Sequence, residues 1–174
     1  MSAVADRLAE LGLALPPVAA PLAAYVPAVR TGDLVFTSGQ LPTVDGQLGA
    51  VGKVGALVTP EQAKELARIC ALNALAAIDA LVGLDSVTRL VKVVGFVASM
   101  PDFTGQPAVV NGASELLADV FGDRLGSAAQ HARSAVGVAS LPLDAPVEIE
   151  LVVEVAGVVE VAGVVEVGGL ATRA

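Results

Sequence analysis

The sequence predicts an α+β fold, in which a mixed β-sheet carries two helices on one face. Two segments repeat apolar residues at helical spacing, several shorter ones are rich in β-branched residues, and the order is β-β-α-β-α-β-β. With 174 residues, 55% of them hydrophobic and 16% charged, the chain has enough apolar material for one core. We therefore expect one domain over residues 1–155, which includes an N-terminal arm, and a repetitive tail over residues 156–174.

The arm and the first strands come before the first long helix. Within residues 3–13 three apolar residues recur at helical spacing, which predicts a short helix: Val4, Leu8 and Leu11. Three prolines then favour an extended approach to the first strand: Pro16, Pro17 and Pro21. Residues 26–29 and 34–38 flank the turn residues 31–33 and predict a hairpin, and Asp45-Gly46 is a further turn signal.

The first long helix has the clearest start signal in the chain. Residues 59–62, Thr-Pro-Glu-Gln, supply an N-cap, a proline at the first helical position and a capping-box glutamine. We expect Gly83 to end this helix. Residues 87–99 then predict a long strand that is apolar on both faces.

The second half of the chain predicts another helix and two strands. The helix carries an apolar stripe over residues 109–120 and is expected to end near Gly122, and strands are expected over residues 134–141 and 147–155. Two helices cover only one face of such a sheet, although the strand over residues 87–99 needs burial on both. A second copy of the chain is therefore the expected cover for the other face.

The tail from Glu154 repeats EVAGVV and adds no residue type that carries catalysis. It could lengthen the last strand, pair with a neighbour or stay mobile, and its glutamates would restrain aggregation. The favoured interpretation is a tail that arose by repeat slippage and has no function.

Charge and motifs exclude several classes of function. The net charge is -8 with only ten Lys and Arg, whereas nucleic-acid binding needs cations that replace counterions on phosphates. Apolar runs are interrupted before about twenty residues, so we expect no membrane span. A single cysteine, Cys70, and the lack of secretory-signal features favour the cytoplasm. Without a metal-ligand constellation or a nucleotide-binding glycine motif, we expect no cofactor and no metal.

Arg133 is the candidate anchor for a ligand. It lies in HARSAVGVASLPLDAPVEIELVVEV, where a fixed cation leads into a strand, a Leu-Pro turn and a second strand. A guanidinium is planar, stays charged and matches a carboxylate with two hydrogen bonds, so a small anion would be held in one orientation. Spacing alone favours the alternative, which is a surface arginine at the start of a strand.

Two signatures give the chain a resemblance to a known family. ARSAVGVASLP followed by VEIE resembles the C-terminal signature of the RidA family, also called the YjgF family, and YVPAVRTGDLVFTSGQLP resembles its N-terminal signature. The similarity continues through VTPEQAKELARICALNALAAI, VKVVGFVASMPDF and VVNGASELLADVFGD, over about residues 20–155. It implies a chorismate-mutase-like fold and a homotrimer with ligand sites between subunits. The arm and the Gly52-Lys53-Val54-Gly55 segment indicate a distinct subgroup.

The resemblance also implies an activity and its residues. Members of the family hydrolyse reactive enamines or 2-imino acids to 2-keto acids and ammonia. By motif match, Arg133 binds the substrate carboxylate, while the backbone carbonyl of Ala135 and the side chain of Glu148 position the attacking water. The best-studied branch has a cysteine where this chain has Ala135, so thiol chemistry is not expected. Four further matches are expected in the pocket wall: Tyr25, Ser38, Gly39 and Asn111.

Several of these side chains have a second interpretation. Ser38 and Gly39 also suit a turn by geometry alone, and Asn111 also suits a helix surface. Glu150 shares a strand face with Glu148 and would raise the pKa of one carboxyl if both entered the site. For Glu150, a solvated strand face is the favoured interpretation.

Other functions remain open at the level of sequence. A trimer that binds small carboxylates without turnover, as a sensor, would keep the same arginine. An endoribonuclease is the least favoured, because the chain is acidic. Lys53 as a second cation is less favoured than a solvated loop lysine, and we expect Cys70 and His131 to be a core thiol and a loop imidazole.

Overall fold

Residues 2–18 and 25–157 are described by a computed structural model, in which one main sheet carries helices on one face. The helices are α1 (Ala3–Glu10), α2 (Pro60–Val82) and α3 (Gln106–Leu125). The strands are β1 (Ala28–Thr31), β2 (Leu34–Thr37), β3 (Thr43–Val44), β4 (Gln47–Leu48), β5 (Val87–Ala98), β6 (Ala132–Val138) and β7 (Val147–Val155). The main sheet has the order β1-β2-β7-β5-β6, with β5 and β6 parallel and the other pairs antiparallel. The predicted mixed α+β architecture is confirmed.

Helix α2 begins and ends where its capping residues predict. The Thr59 hydroxyl accepts a hydrogen bond from the Gln62 N–H at 3.2 Å, and the Gln62 side chain accepts one from the Thr59 N–H at 3.0 Å. These two bonds satisfy N–H groups that the first helical turn leaves open. Gly83 closes the helix at a positive φ of 76°, a conformation that glycine adopts without a Cβ penalty.

The core lies between the sheet and the pair α2 and α3. Alternate residues of β7 point into it and are buried: Val147, Ile149, Leu151, Val153 and Val155. Because successive side chains of a strand point to opposite faces, Glu148 and Glu150 lie on the other face of the sheet. The alternation of β7 therefore places its carboxylates away from the core.

The arm forms a helix that packs on α3 and on the turn before β5. Val4 and Leu8 are 1% and 4% exposed. The Val4 N–H donates to Asp85 Oδ1 at 3.0 Å, and Arg7 Nε donates to the Asp119 carbonyl at 2.9 Å. The predicted arm helix is confirmed, while Pro21 and the repeat beyond residue 157 lie outside the described residues.

Two element boundaries differ from the prediction, and one pair of short strands was not predicted. Helix α3 continues through Gly122 to Leu125, because one glycine costs a helix only about 1 kcal/mol. Strand β6 spans Ala132–Val138 instead of residues 134–141, since its partner β5 ends at Ala98, opposite Val138. The Asp45-Gly46 turn joins a separate two-stranded ribbon, β3 and β4.

The second face of the sheet carries exposed apolar side chains beside its charged ones and is not covered by the described residues. Val29, Phe36 and Val136 point to this face and are 53%, 38% and 45% exposed. Phe36 pairs with Val29 on one side and with Val152 on the other, so the apolar surface runs across several strands. We call this surface the open face. Among the described residues, no helix combines the length and the apolar character that a membrane crossing requires.

Candidate functional site

Four of the predicted site residues line one cavity at an end of the open face. The cavity has a volume of about 360 Å³. Its lining, which we call the acidic cleft, is Tyr25, Ser38, Gly39, Leu41, Pro142, Glu148 and Glu150. Strand β7 supplies both carboxylates, and the segments before β1 and after β2 supply the phenol, the hydroxyl and the glycine. The structure therefore brings Tyr25, Ser38, Gly39 and Glu148 together.

Glu148 lies against the backbone at Gly39. A Cβ atom on residue 39 would overlap Glu148 Oε1, so only glycine leaves room for this carboxyl group. Burial raises the pKa of Glu148 above its ordinary value, and the neighbouring charge of Glu150 raises it further. A carboxyl group of this kind keeps its proton to a higher pH than a solvated one, which suits a group that donates or accepts a proton in a reaction.

Ser38 and Tyr25 form the rim of the acidic cleft. The Ser38 hydroxyl donates to the Val26 carbonyl at 2.7 Å, and the Ser38 N–H donates to the Pro27 carbonyl at 2.9 Å. These bonds fix the chain that leads into β1, so Ser38 has a structural role, and its oxygen can still accept a hydrogen bond. Tyr25 is 49% exposed, which leaves most of its ring at the opening.

Arg133 lies on the other face of the sheet, where α3 holds it. Its Nη1 donates to Asn111 Oδ1 at 2.7 Å and to Ser114 Oγ at 3.2 Å. We call these three residues the arginine site. Within residues 2–18 and 25–157 no carboxylate pairs with Arg133, so a charged side chain is fixed through one nitrogen by two neutral acceptors. The edge formed by Nε and Nη2 is the one that a carboxylate binds with two hydrogen bonds.

Asn111 therefore holds the arginine and lies outside the acidic cleft, and its predicted place in the wall of a substrate pocket stays a prediction. Ser114 was not predicted. It lies three residues after Asn111, and residues three apart on a helix share a face, which is the signal that would have found it. Ala135 follows two residues after Arg133 and packs partly against the core on the same side of the sheet.

The arginine site and the acidic cleft do not meet within one chain. Arg133 pairs with Val93, and Val93 pairs with Leu151, three residues from Glu148 along β7. Two strand spacings and three residues amount to roughly 10 Å across the sheet and roughly 10 Å along it. Because the two side chains also point to opposite faces, no small molecule contacts both in a single copy.

Three other residues considered in the sequence lie elsewhere. Lys53 lines a separate cavity of about 440 Å³ together with Ser99 and Gln106, at the carboxyl ends of β5 and β6. Cys70 is fully buried on α2, and burial raises the pKa of its thiol, as expected for a core thiol. His131 lies in the connection before β6, with Nδ1 3.1 Å from the Ala132 carbonyl. In the described part of the chain, no three His, Cys, Asp or Glu side chains cluster as a metal would require.

Comparison with known proteins gives matches over most of the chain. Protein TCP17 of Trypanosoma cruzi is 45% identical over 148 residues, which are 84% of this chain and 91% of that protein. The 2-iminobutanoate/2-iminopropanoate deaminase of Salmonella typhimurium is 36% identical over 133 residues, which are 76% of this chain and 88% of the deaminase. The protein Atu1372 of Agrobacterium tumefaciens, whose function is unknown, has a crystal structure that superimposes with a TM-score of 0.80 at 44% identity. That superposition covers 88% of this chain and 93% of that one.

A family model agrees with these pairwise matches. The model described as Endoribonuclease L-PSP matches residues 17–155, which contain the acidic cleft, the arginine site and both signatures recognised in the sequence. The chain therefore belongs to the Endoribonuclease L-PSP family, the family that is also called YjgF or RidA.

Proposed function

We propose that this protein is an imine/enamine deaminase, which hydrolyses 2-imino acids to 2-keto acids and ammonia. The observation that carries the proposal is Arg133, a cation that Asn111 and Ser114 fix by one nitrogen and that has no carboxylate partner among the described residues. A fixed guanidinium with a free edge suits the carboxylate that every 2-imino acid carries. The name of the related Salmonella protein supports the same chemistry.

The reaction needs orientation and proton transfer from the protein. The carboxylate of the substrate binds Arg133, which fixes the position of the imine carbon. A water oxygen attacks that carbon and loses a proton, while the C=N electron pair moves to nitrogen, which takes a proton. Nitrogen then takes a second proton and the new hydroxyl group loses its own, so the C–N bond breaks, ammonia leaves and the carbon becomes the keto group. Glu148 supplies or accepts the protons, and the carbonyl of Ala135 accepts a hydrogen bond from the water.

The proposed site is formed between subunits of a homotrimer. Arg133 and Glu148 lie on opposite faces of one sheet, so a site that uses both needs the arginine site of one subunit and the acidic cleft of its neighbour. The apolar open face supports such an assembly, because a second copy would remove Val29, Phe36 and Val136 from water. Head-to-tail contacts of this kind close into a ring of three when each copy is rotated by a third of a turn from the last.

The direct test is keto-acid formation from an imine that an amino-acid oxidase generates in the same cuvette. We expect the protein to accelerate hydrolysis, and we expect Arg133→Ala to lower kcat/KM at least about 30-fold, because the substrate carboxylate loses its charged partner. Arg89→Ala is the matched control, since Arg89 is another strand arginine but pairs with Glu154. Equal rates for Arg133→Ala and the unaltered protein would refute the proposal.

Mixing two inactive variants tests whether the site is shared. Arg133→Ala and Glu148→Gln subunits are unfolded together, refolded in equal amounts and assayed. A site between subunits regains both functional halves in about a quarter of random pairings, so about a quarter of the original activity should return. A site within one subunit would give no recovery.

A carboxylate binder without turnover is the second candidate, because the arginine site is built independently of Glu148. It predicts affinity for pyruvate that is lost in Arg133→Ala, together with no acceleration of hydrolysis by the unaltered protein. Calorimetry with pyruvate, run beside the assay, distinguishes the two functions.

A further inference from the structure

Glu150 opens into the acidic cleft beside Glu148 and has no role in the mechanism above. We infer that Glu150 is a positioning residue for the proton that Glu148 transfers: the negative charge of Glu150, held in the same cleft, favours the protonated form of Glu148. This inference rests on the proposed function for its chemistry and on the geometry of β7 for its physical basis. It replaces the prediction of a solvated strand face.

The geometry brings two like charges to one cavity. Glu148 and Glu150 are two residues apart on β7, so they share a face and lie about 7 Å apart along the strand. Both are partly buried and both line the same cleft of about 360 Å³. Among the ion pairs within residues 2–18 and 25–157, neither carboxylate has a cationic partner.

The neighbouring elements do not neutralise the pair. On β5, Phe96 pairs with Glu148 and Val94 pairs with Glu150, so apolar side chains flank the carboxylates on that side. The nearest cation of β5 on this face is Lys92, which pairs with Val152 one step further along.

Among the described residues, the remaining elements around Glu148 place neither a carboxylate nor a basic side chain beside it. The rim supplies the phenol of Tyr25 and the hydroxyl of Ser38, α2 supplies the thiol of Cys70, and Val136 and Ser134 of β6 lie beyond β5. Burial raises the pKa of the Cys70 thiol, and the negative charge of Glu148 raises it further. Within the described residues, Glu150 is therefore the charge that acts most directly on Glu148.

The charge of Glu150 acts on the proton of Glu148. Ionising Glu148 next to a second negative charge is less favourable than ionising an isolated carboxyl group, so its proton leaves at a higher pH. Burial and then Glu150 raise the pKa of Glu148, which agrees with this effect. In the proposed trimer, the positive charge of Arg133 from the neighbouring subunit would lower the pKa of Glu148, whereas the charge of Glu150 raises it. The substrate carboxylate neutralises Arg133 when it binds. Glu150 raises the pKa of Glu148 both before and after this step.

The test is the titration of Glu148 in the full-length protein, followed by NMR of glutamate labelled with ¹³C at Cδ. Glu148→Gln identifies the signal by its loss. We expect Glu150→Gln to move the Glu148 midpoint to lower pH. The limb of the kcat/KM profile that depends on Glu148 should move in the same direction, whether Glu148 acts as the acid or as the base. A purely structural role of Glu150 would change the rate without moving the midpoint.

Glu154→Gln is the matched control, because Glu154 lies on the same face of β7 and outside the acidic cleft, paired with Arg89. An unmoved midpoint in Glu150→Gln, or an equal shift in Glu154→Gln, would overturn the inference. The NMR midpoint does not depend on turnover, so an inactive protein with a Glu150-dependent midpoint would refute the proposed function and leave the carboxylate pair established.

Discussion

At the scale of single residues, uncharged neighbours hold the Arg133 guanidinium in place and leave it available to an anionic ligand. Asn111 and Ser114 accept hydrogen bonds from Nη1 without neutralising the guanidinium. A carboxylate in their place would form an ion pair and compete with any anionic ligand. The neutral acceptors therefore fix the direction of Arg133 while they keep its charge available.

Asn111→Asp tests this point with a nearly isosteric change. We expect it to raise KM for a 2-imino acid, and Kd for pyruvate, at least about tenfold, because a charge-assisted pair inside the protein occupies Arg133. Asn111→Ala removes one neutral hydrogen bond and should raise both constants by only about three- to tenfold. Steady-state kinetics and calorimetry measure these effects. Equal effects of the two variants would contradict the argument from charge.

Only part of the site is predictable from the sequence. Arg133 and Glu148 were predicted as site residues through their motifs, and the alternation of β7 correctly places Glu150 on the same face as Glu148. Whether that face is solvated depends on the chain after β2, where Gly39 comes close enough to enclose the carboxyl groups, and strand periodicity does not report this contact. The separation of Arg133 from Glu148 follows from strand order, which the sequence does not specify.

At the scale of elements, local signals predicted the beginnings of helices better than the ends of strands. The Thr59-Pro60 start and the Gly83 end of α2 follow from capping chemistry that is local in sequence. The end of β6 depends on where β5 ends, which is a contact between distant segments. The helix of the arm followed from its spacing, but its attachment to Asp85 did not.

The attachment of the arm predicts a pH-dependent contribution to stability. Hydrogen bonds from the Val4 N–H and then from Ser2 hold the pKa of Asp85 below its ordinary value. A depressed pKa means that this contribution is present above the unfolded pKa of about 3.9 and is lost as the pH falls through the folded pKa. We expect Asp85→Ala to lower the free energy of unfolding at pH 7 by about 1 kcal/mol, because the helix loses an acceptor at its N-terminus.

Urea unfolding at pH 7 and at pH 3, at one protein concentration, measures this contribution. The difference between the unaltered protein and Asp85→Ala should be smaller at pH 3, because this pH lies below the unfolded pKa of about 3.9 and the contribution falls as the pH approaches the folded pKa. Asp102→Ala, at another exposed aspartate, is the control and should change stability by less than about 0.5 kcal/mol. A difference that is independent of pH would show that the Asp85 charge does not hold the arm.

At the scale of the whole molecule, the proposed trimer would explain both the exposed open face and the separation of Arg133 from Glu148. Valine and phenylalanine side chains that stay in water lose the hydrophobic stabilisation that burial provides. In the proposed function, Arg133 and Glu148 act together only across two copies. A negative charge on the open face should therefore prevent assembly and abolish turnover together. Phe36 is the best position for this change, because it pairs with both Val29 and Val152 near the middle of the apolar surface.

We expect Phe36→Asp to convert a trimer, with about three times the subunit mass of 17.3 kDa, into monomers when light scattering is measured at micromolar concentration. Turnover should fall by the same fraction as the trimer, and the monomer should keep its helical circular dichroism, since Phe36 is 38% exposed in the single chain. Leu57→Asp is the control, because Leu57 is 78% exposed away from the sheet and should affect neither property. A Phe36→Asp protein that remains trimeric would place the subunit contact elsewhere. A monomer with full activity would instead require Arg133 and Glu148 to act independently of each other.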